Sequence, residues 1–302
     1  MPLSDRILQW LVNEIDKQAT VQSIERLKGS TSSTLHHVSL LIEGRKKDVV
    51  VRQFDQKDWV TEEPDLARHE AESLRIAAEV DIQTPEIISY AETDRECGVP
   101  VVLMTMIPGS VELKPNDQGH WVAGLAKGLM RIHKRTADSF PWTYFSYHDV
   151  DTIEIPTWST VPHIWERAIE IVRGPRPVTT PCLIHRDYHP TNVLWKDGAG
   201  SGVVDWVNAC RGPAGIDVGH CRLNLAMLYS VSTADAFLVA YQREANLSFD
   251  YDRYWDLLAL IDFLDGTPTV YAGWEAFGMT GLTADIIAKR LDSYIASLVP
   301  RL

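Results

Sequence analysis

The sequence predicts an α+β fold in two lobes: a small antiparallel sheet carrying one helix, then a mostly helical part. Three observations predict it. Short β-branched runs separated by turn residues fill the first hundred positions, and long 3.6-residue periodicities fill most of the remainder. Three short apolar strands lie embedded among those later helices, with polar residues at their ends. With 302 residues, 45% of them hydrophobic, the chain can bury a sizeable core.

The opening residues, "MPLSDRILQWLVNEID", are charged from the outset and offer neither an uninterrupted apolar core nor a small-residue cleavage site, so no signal peptide is read there. "SIERLKGS", "TLHHVSLLIEG" and "DVVVRQF" read as strands divided by turns. "EPDLARHEAESLRIAAEV" then sets Leu66, Glu70, Leu74 and Ala77 at helical spacing, one helix laid on the sheet. "EIISYAE" and "VPVVLMTMI" supply two further strands. The prolines and polar turns of "MIPGSVELKPND" mark a change of texture. They put the lobe boundary near Thr105 to Pro108, giving an N-terminal lobe of residues 1–105 and a C-terminal lobe of residues 106–302. Helical patterns follow in "DQGHWVAGLAKGLMRIHKR", "HIWERAIEIVRG", "DVGHCRLNLAMLYS" and "DRYWDLLALIDFLDG", with "LIH", "VLW" and "GVVDW" as the embedded strands.

Lys and Arg number 29 against 41 Asp and Glu, a net charge of −12. That sign opposes general binding to nucleic acid or to an anionic membrane, and it suits a cationic small molecule. It also simply keeps a protein dispersed, so charge alone selects no substrate. No apolar run approaches the roughly 20 residues that cross a bilayer. Cys97, Cys182, Cys210 and Cys221 are scattered without a Cys-x-x-Cys pair, which argues against a zinc site or a disulfide framework and fits a reducing cytoplasm.

The chemistry concentrates in "CLIHRDYHPTNVLWKDGAGSGVVDWVNACRGPAGIDVGH", Cys182 to His220. Read as a hairpin, "NVLW-KDGAGS-GVVDW" folds Asn192, just before the first strand, close to Asp205, at the end of the second. Those side chains supply oxygen ligands of the kind Mg²⁺ takes, few enough to leave room for water and phosphate oxygens. Asp187 stands five residues before Asn192, so "HRDYHPTN" satisfies His-Arg-Asp-x-x-x-x-Asn, the catalytic-loop pattern of kinases. A carboxylate there can accept the proton of an attacking hydroxyl while Asn192 and Asp205 hold the metal. Each of the three alone reads equally as a turn or cap residue. His185 and His189 are expected to hydrogen-bond the loop backbone and not to act as acid or base.

This block resembles the aminoglycoside phosphotransferase family, small-molecule kinases of two-lobed protein-kinase-like fold. Their pattern runs His-Gly-Asp-x-His-Pro-x-Asn, a strand, then Asp-Trp; this chain has "HRDYHPTN" and "VVDW", with Arg186 where glycine is usual. The resemblance implies Mg²⁺ and a nucleotide donor, ATP or GTP. It makes Asp217, in "GIDVGH", a residue supporting the site from a helix start, close in kind to a plain N-cap. His185 becomes a second supporting residue. "KGSTSSTLHHV" resembles the phosphate-covering turn and brings Gly29, Ser30, Thr31 and Ser32 to the nucleotide. Arg52 stands where such kinases place a lysine on the α- and β-phosphates, a departure because a guanidinium is a fork and not a point charge. Glu70 matches its helix partner; Glu72 points to another face. "VPVVLMTMIPG" matches the segment between the lobes, with Thr105 and Met106 contacting the adenine edge and Met104 at the back of the pocket.

The family implies phosphoryl transfer to the hydroxyl of a small acceptor, one with an amine such as an aminoglycoside among the candidates. A resistance role does not follow from the fold. The interval of eleven residues between Asp205 and Asp217 leaves no activation segment, which argues against a peptide kinase. A nucleotide-binding pseudokinase or interaction module without turnover is the competing reading, supported by Arg52 and Arg186. For the acceptor, "SFDYDRYWDLLALIDFLDG" offers Asp252 and Asp256 on a solvated helix face, and Asp262 inside an apolar run. A buried carboxylate needs a partner. Asp262 therefore either meets an arginine or backbone N–H of the protein or, with Asp265, lines the cleft and receives an amine of the acceptor.

Overall fold

A computed structural model describes residues 3–246, 249–262 and 266–299. The N-terminal part is built on β1 (Thr20–Arg26), β2 (Thr34–Ile42), β3 (Arg45–Gln53), β4 (Ile87–Ala91) and β5 (Val101–Thr105), an antiparallel sheet in the order β1-β2-β3-β5-β4. Strand β3 is central, and its period of two decides where the cation goes. Val49 and Val51 point to one core with Ile7, Trp10 and Leu11, whereas Val50 joins the other core, and Arg52 shares that second face. The first of these cores is closed by α1 (Asp5–Ile15), a helix absent from the sequence reading although its start is signalled by the Ser4 cap, which accepts from the Ile7 amide. A short α2 (Lys57–Glu62) precedes α3 (Leu66–Ala77), the helix expected over Leu66 to Ala77, and α4 (Asp94–Cys97) lies between β4 and β5.

After β5 the chain passes through β6 (Ser110–Val111) into the helices α5 (Gln118–His133) and α6 (Pro162–Arg173). Between α6 and α7 (Ala214–Leu228) come β7 (Cys182–Ile184), β8 (Val193–Lys196), β9 (Ala199–Val203) and β10 (Cys210–Gly212). Strand β7 pairs with β10, and β8 lies between β6 and β9. The β8–β9 turn is Asp197-Gly198, both at positive φ, as a two-residue hairpin of native twist requires. The last helices are α8 (Val231–Glu244), α9 (Tyr254–Asp262), α10 (Ala272–Ala276) and α11 (Ala284–Leu298). Helix α7 packs against α8, α9 and α11 and is apolar nearly all round, the pattern of a fully buried helix. Among the described residues no helix is long and apolar enough to cross a membrane, and the four cysteines are free thiols.

One expectation fails here. Asp256 does not lie on a solvated face: it is fully buried and accepts from Arg222 Nε, Tyr251 Oη and Tyr294 Oη, each at 2.8 Å. Helix α9 is buried on almost every side from Tyr254 to Ile261, so the Asp256 carboxylate within that stretch needs an internal cation. Asp252 is exposed and accepts from the Tyr254 amide at 2.8 Å.

Candidate active site

Residues 185–192 join β7 to β8, and the loop is held from beneath by Asp217 in the first turn of α7. Its carboxylate accepts from the amides of His185 and Arg186, both at 2.7 Å, and from His133 Nε2 at 3.0 Å. Asp217 is thus no N-cap; it fixes the loop of residues 185–192 through two backbone bonds. His185 behaves as its sequence position suggests, donating Nε2–H to the Val204 carbonyl at 2.9 Å. Among the described residues the His189 ring bonds no backbone group: its Nδ1 meets the Thr191 hydroxyl at 3.0 Å, and its Nε2 stands 3.6 Å from Asp187 Oδ1. Burial draws the His189 imidazole down to about 4, against the pull of Asp187.

Asp187 is the focus of the loop. Asn192 Nδ2 donates to its carbonyl at 2.9 Å and to its Oδ2 at 3.1 Å, while His220 Nε2 lies 3.2 Å from Oδ1. Burial opposes its charge, yet the surrounding imidazoles of His189, His220 and His185 hold the carboxyl well below the ordinary carboxylate range. Such a group is a weak base and a firm acceptor, suited to orienting a hydroxyl and taking its proton late. His220 was missed by the sequence reading. The available signal is its place three residues after Asp217 on α7, which puts both on one helix face.

The hairpin brings the two oxygen donors together as the spacing predicts: the Val204 amide bonds the Asn192 carbonyl at 2.9 Å, placing Asp205 beside Asn192. Because Asn192 spends its Nδ2 on Asp187, its Oδ1 is left as an acceptor, and with Asp205 it forms a hard-oxygen donor set that fits Mg²⁺. Asp205 sits at φ +68°, in the left-handed region that costs a non-glycine residue of order 1–3 kcal/mol. Arg52 holds it there. The guanidinium, 3% exposed, gives Nη2 to Asp205 Oδ1 at 2.7 Å and Nη1 to Glu70 Oε1 at 3.0 Å. Burial works against the Arg52 charge and the two carboxylates more than offset it. Glu70 is pushed by burial up to about 7 despite Arg52. Glu72 is half-buried and pairs with Arg75.

The turn from Gly29 to Ser33 joins β1 to β2. Gly29 has φ +88°, and a Cβ there would collide with the Phe277 ring. Ser30 Oγ donates to the Ser33 carbonyl at 2.6 Å, Thr31 offers its carbonyl to Gln56 and its side chain to Tyr271, and Ser32 is exposed. Tyr271, the residue that precedes α10, and Phe277, the residue that follows it, therefore press on this turn from the far end of the chain, which no local pattern announces. Between the lobes Met104 is buried and Met106 is 42% exposed. The Thr105 amide is already bonded to the Glu86 carbonyl at 2.9 Å, so any edge contact from Thr105 falls to its carbonyl.

Beside Asp187 lies a cavity of about 190 Å³ whose lining includes Tyr144, Tyr147, Arg186, His220, Trp255 and Asp262. Asp262 thus faces the space next to Asp187. Among the described residues no arginine or backbone N–H bonds it; the His148 ring is near, with Nδ1 3.9 Å from Oδ1. Burial raises its carboxyl pKa, opposed by His148, Arg176 and Arg186. Asp265 lies outside the described residues. Arg186 has φ +66°, which explains why glycine is usual at that position.

This sheet-and-helix arrangement, with a carboxylate loop between two lobes, defines a chain of the protein-kinase-like fold. The model of the phosphotransferase enzyme family matches residues 31–257, and the chain belongs to that family. It is similar to a homoserine kinase of Rhodopseudomonas palustris (strain BisB5), 29% identical over 200 residues, covering 56% of this chain and 59% of that protein. The chain thus matches little more than half the length of this curated relative. Among solved structures, a macrolide 2′-phosphotransferase from Brachybacterium faecium superposes with a TM-score of 0.59 at 14% identity, over 95% of this chain and 98% of that one. An amicoumacin kinase solved with AMP-PNP and Ca²⁺ gives 0.57 at 12%, over 97% and 94%. At those identities the structures show a shared fold.

Proposed function

We propose that the protein is a small-molecule kinase that moves the γ-phosphoryl group of ATP to an acceptor hydroxyl. The observation that carries this reading is Asp187, fixed by Asn192 and His220, opening onto a cavity beside the Asn192 and Asp205 oxygens. The acceptor oxygen forms a bond to the γ-phosphorus, the bond from that phosphorus to the β,γ-bridging oxygen breaks, and ADP leaves with that electron pair. Asp187 takes the hydroxyl proton. When bound, Mg²⁺ neutralises charge on the phosphates, and Asn192 and Asp205 are the residues that would hold it. Arg52 keeps Asp205 in place from the sheet, and Asp217 keeps the loop in place from α7.

A cavity of about 190 Å³ lies below the ~300–1,000 Å³ common for drug-sized ligands, which favours a compact acceptor over a multi-ring antibiotic. The kinship to a homoserine kinase points the same way. The Arg52–Asp205 ion pair favours one rival, a nucleotide-binding module without turnover, because it occupies one oxygen of a metal ligand. Incubation with ATP, Mg²⁺ and a panel of L-homoserine, choline and kanamycin, read by ³¹P NMR, separates the two. A new phosphomonoester matched by ADP supports the kinase; bound nucleotide with no ADP beyond the acceptor-free rate supports the module. Free thiols at all four cysteines suit a reducing compartment such as the cytoplasm.

A further inference from the structure

We infer that Arg186 and Asp262 are specificity-determining anchors for a zwitterionic acceptor, a small hydroxylated amino acid whose carboxylate meets Arg186 and whose ammonium meets Asp262. The inference rests on the kinase reading and adds the charge pattern of its substrate.

Arg186 occupies a strained left-handed position that glycine fills without cost, so its side chain has to repay the strain. The guanidinium does not do so through an ion pair. Among the described residues it meets no carboxylate within 4 Å, and its side chain finds one hydrogen-bond acceptor, the Phe145 carbonyl, at 2.8 Å from Nη2. Its Nε is buried with no acceptor at all. The group is instead held against aromatic rings, with Cζ 4.0 Å from the Tyr147 centroid and 4.2 Å from that of Phe145. Ring faces orient a guanidinium without engaging its N–H donors in an ion pair, so those donors remain available to an anion.

Asp262 is the complement. Its Oδ1 is buried without a hydrogen-bond partner, and the imidazole 3.9 Å away is too distant to bond it. Both residues line the cavity that contains Asp187; Arg186 acts on the Asp262 carboxyl through space, with no ion pair within 4 Å between them. A cavity too small for a large ligand therefore holds a guanidinium and a carboxylate that do not hydrogen-bond each other, beside the residue that receives a hydroxyl. A molecule bearing a carboxylate, an ammonium and a hydroxyl within a few bonds satisfies all three. Aromatic packing without ligand binding explains the Arg186 stacking but neither the orphaned Asp262 nor their shared cavity.

The test measures steady-state ADP release, and calorimetric binding in the presence of Mg²⁺ and AMP-PNP, for L-homoserine, 4-hydroxybutyrate and 3-amino-1-propanol. Wild type is expected to prefer L-homoserine. Arg186→Gly, which relieves the backbone strain, should raise KM and Kd for L-homoserine and 4-hydroxybutyrate by roughly 10- to 100-fold. It should leave 3-amino-1-propanol and ATP within about twofold, and Arg186→Lys should fall between. Asp262→Asn should penalise L-homoserine and 3-amino-1-propanol and spare 4-hydroxybutyrate. Melting temperatures confirm that each variant folds. Equal losses on all three acceptors, a shift confined to ATP, or a higher kcat/KM for 3-amino-1-propanol than for L-homoserine overturns the inference and leaves the kinase standing. Binding of L-homoserine that depends on Arg186 without any ADP release upholds the anchors and overturns the kinase. Failure of all three probes to bind overturns the anchors.

Discussion

Arg52 carries two carboxylates at once, and the consequence is sharpest when it is removed. Arg52→Ala leaves Glu70 buried without its cation and frees Asp205 from the contact that holds its strained backbone. A loss of about 3–5 kcal/mol is expected by urea denaturation above pH 7, where Glu70 is ionised. Lysine keeps the charge but not the fork, so Arg52→Lys should lose clearly less; equal losses would show that the two-pronged geometry is what matters. Glu70 adds a pH signature. Its carboxyl titrates near 7 in the folded chain against 4.5 for a free one, so between those values the folded state keeps a proton that the unfolded state has released. Stability from this group is present below about pH 4.5 and is lost as pH rises to about 7. Glu70→Gln should therefore gain on wild type across that window, by of order 3 kcal/mol. A constant difference in Tm from pH 4.5 to 7.5 would contradict it.

At the scale of elements, α7 does the positioning. It carries Asp217 under the loop of residues 185–192 and His220 beside Asp187, and it can do so because α9 comes close. A Cβ on Gly219 would stand 2.5 Å from the Trp255 carbonyl oxygen, and one on Gly215 would overlap the Trp255 ring. Gly219→Ala should cost about 1–3 kcal/mol by overpacking and lower turnover through His220 and Asp217; an unchanged urea midpoint would refute that account of the helix contact. These elements also show what a sequence displays and what it hides. Asp187, Asn192 and Asp205 were legible because a loop and a hairpin with an Asp-Gly turn bring them together locally. The partner of Asp256 was not, since Arg222 stands 34 residues away on another helix. Spacing put Asp252 and Asp256 one turn apart and so suggested one solvated face, but burial of α9 on nearly all sides decided otherwise. Helix α1 was overlooked because its charges were weighed against a signal peptide and its capping Ser4 was not.

For the whole molecule, the lobes are tied by contacts of great sequence separation. Arg52 reaches Asp205 from the sheet, and Tyr271 and Phe277 reach back to the turn at Gly29. A ligand bridging those parts should stabilise the entire chain: at about 100 times its Kd, nucleotide with Mg²⁺ should add ~2.7 kcal/mol and raise Tm. Asn192→Ala and Asp205→Ala should lose the Mg²⁺-dependent part of that rise, and a Mg²⁺ titration identical to wild type would remove them from the metal site. The central claim is that Asp187 receives the acceptor's proton during phosphoryl transfer. It is tested most directly by the turnover of Asp187→Ala with ATP, Mg²⁺ and L-homoserine, alongside its affinity for AMP-PNP. The account predicts turnover lower by roughly 10²–10⁴-fold with nucleotide affinity nearly intact. Wild-type turnover in that variant would contradict it.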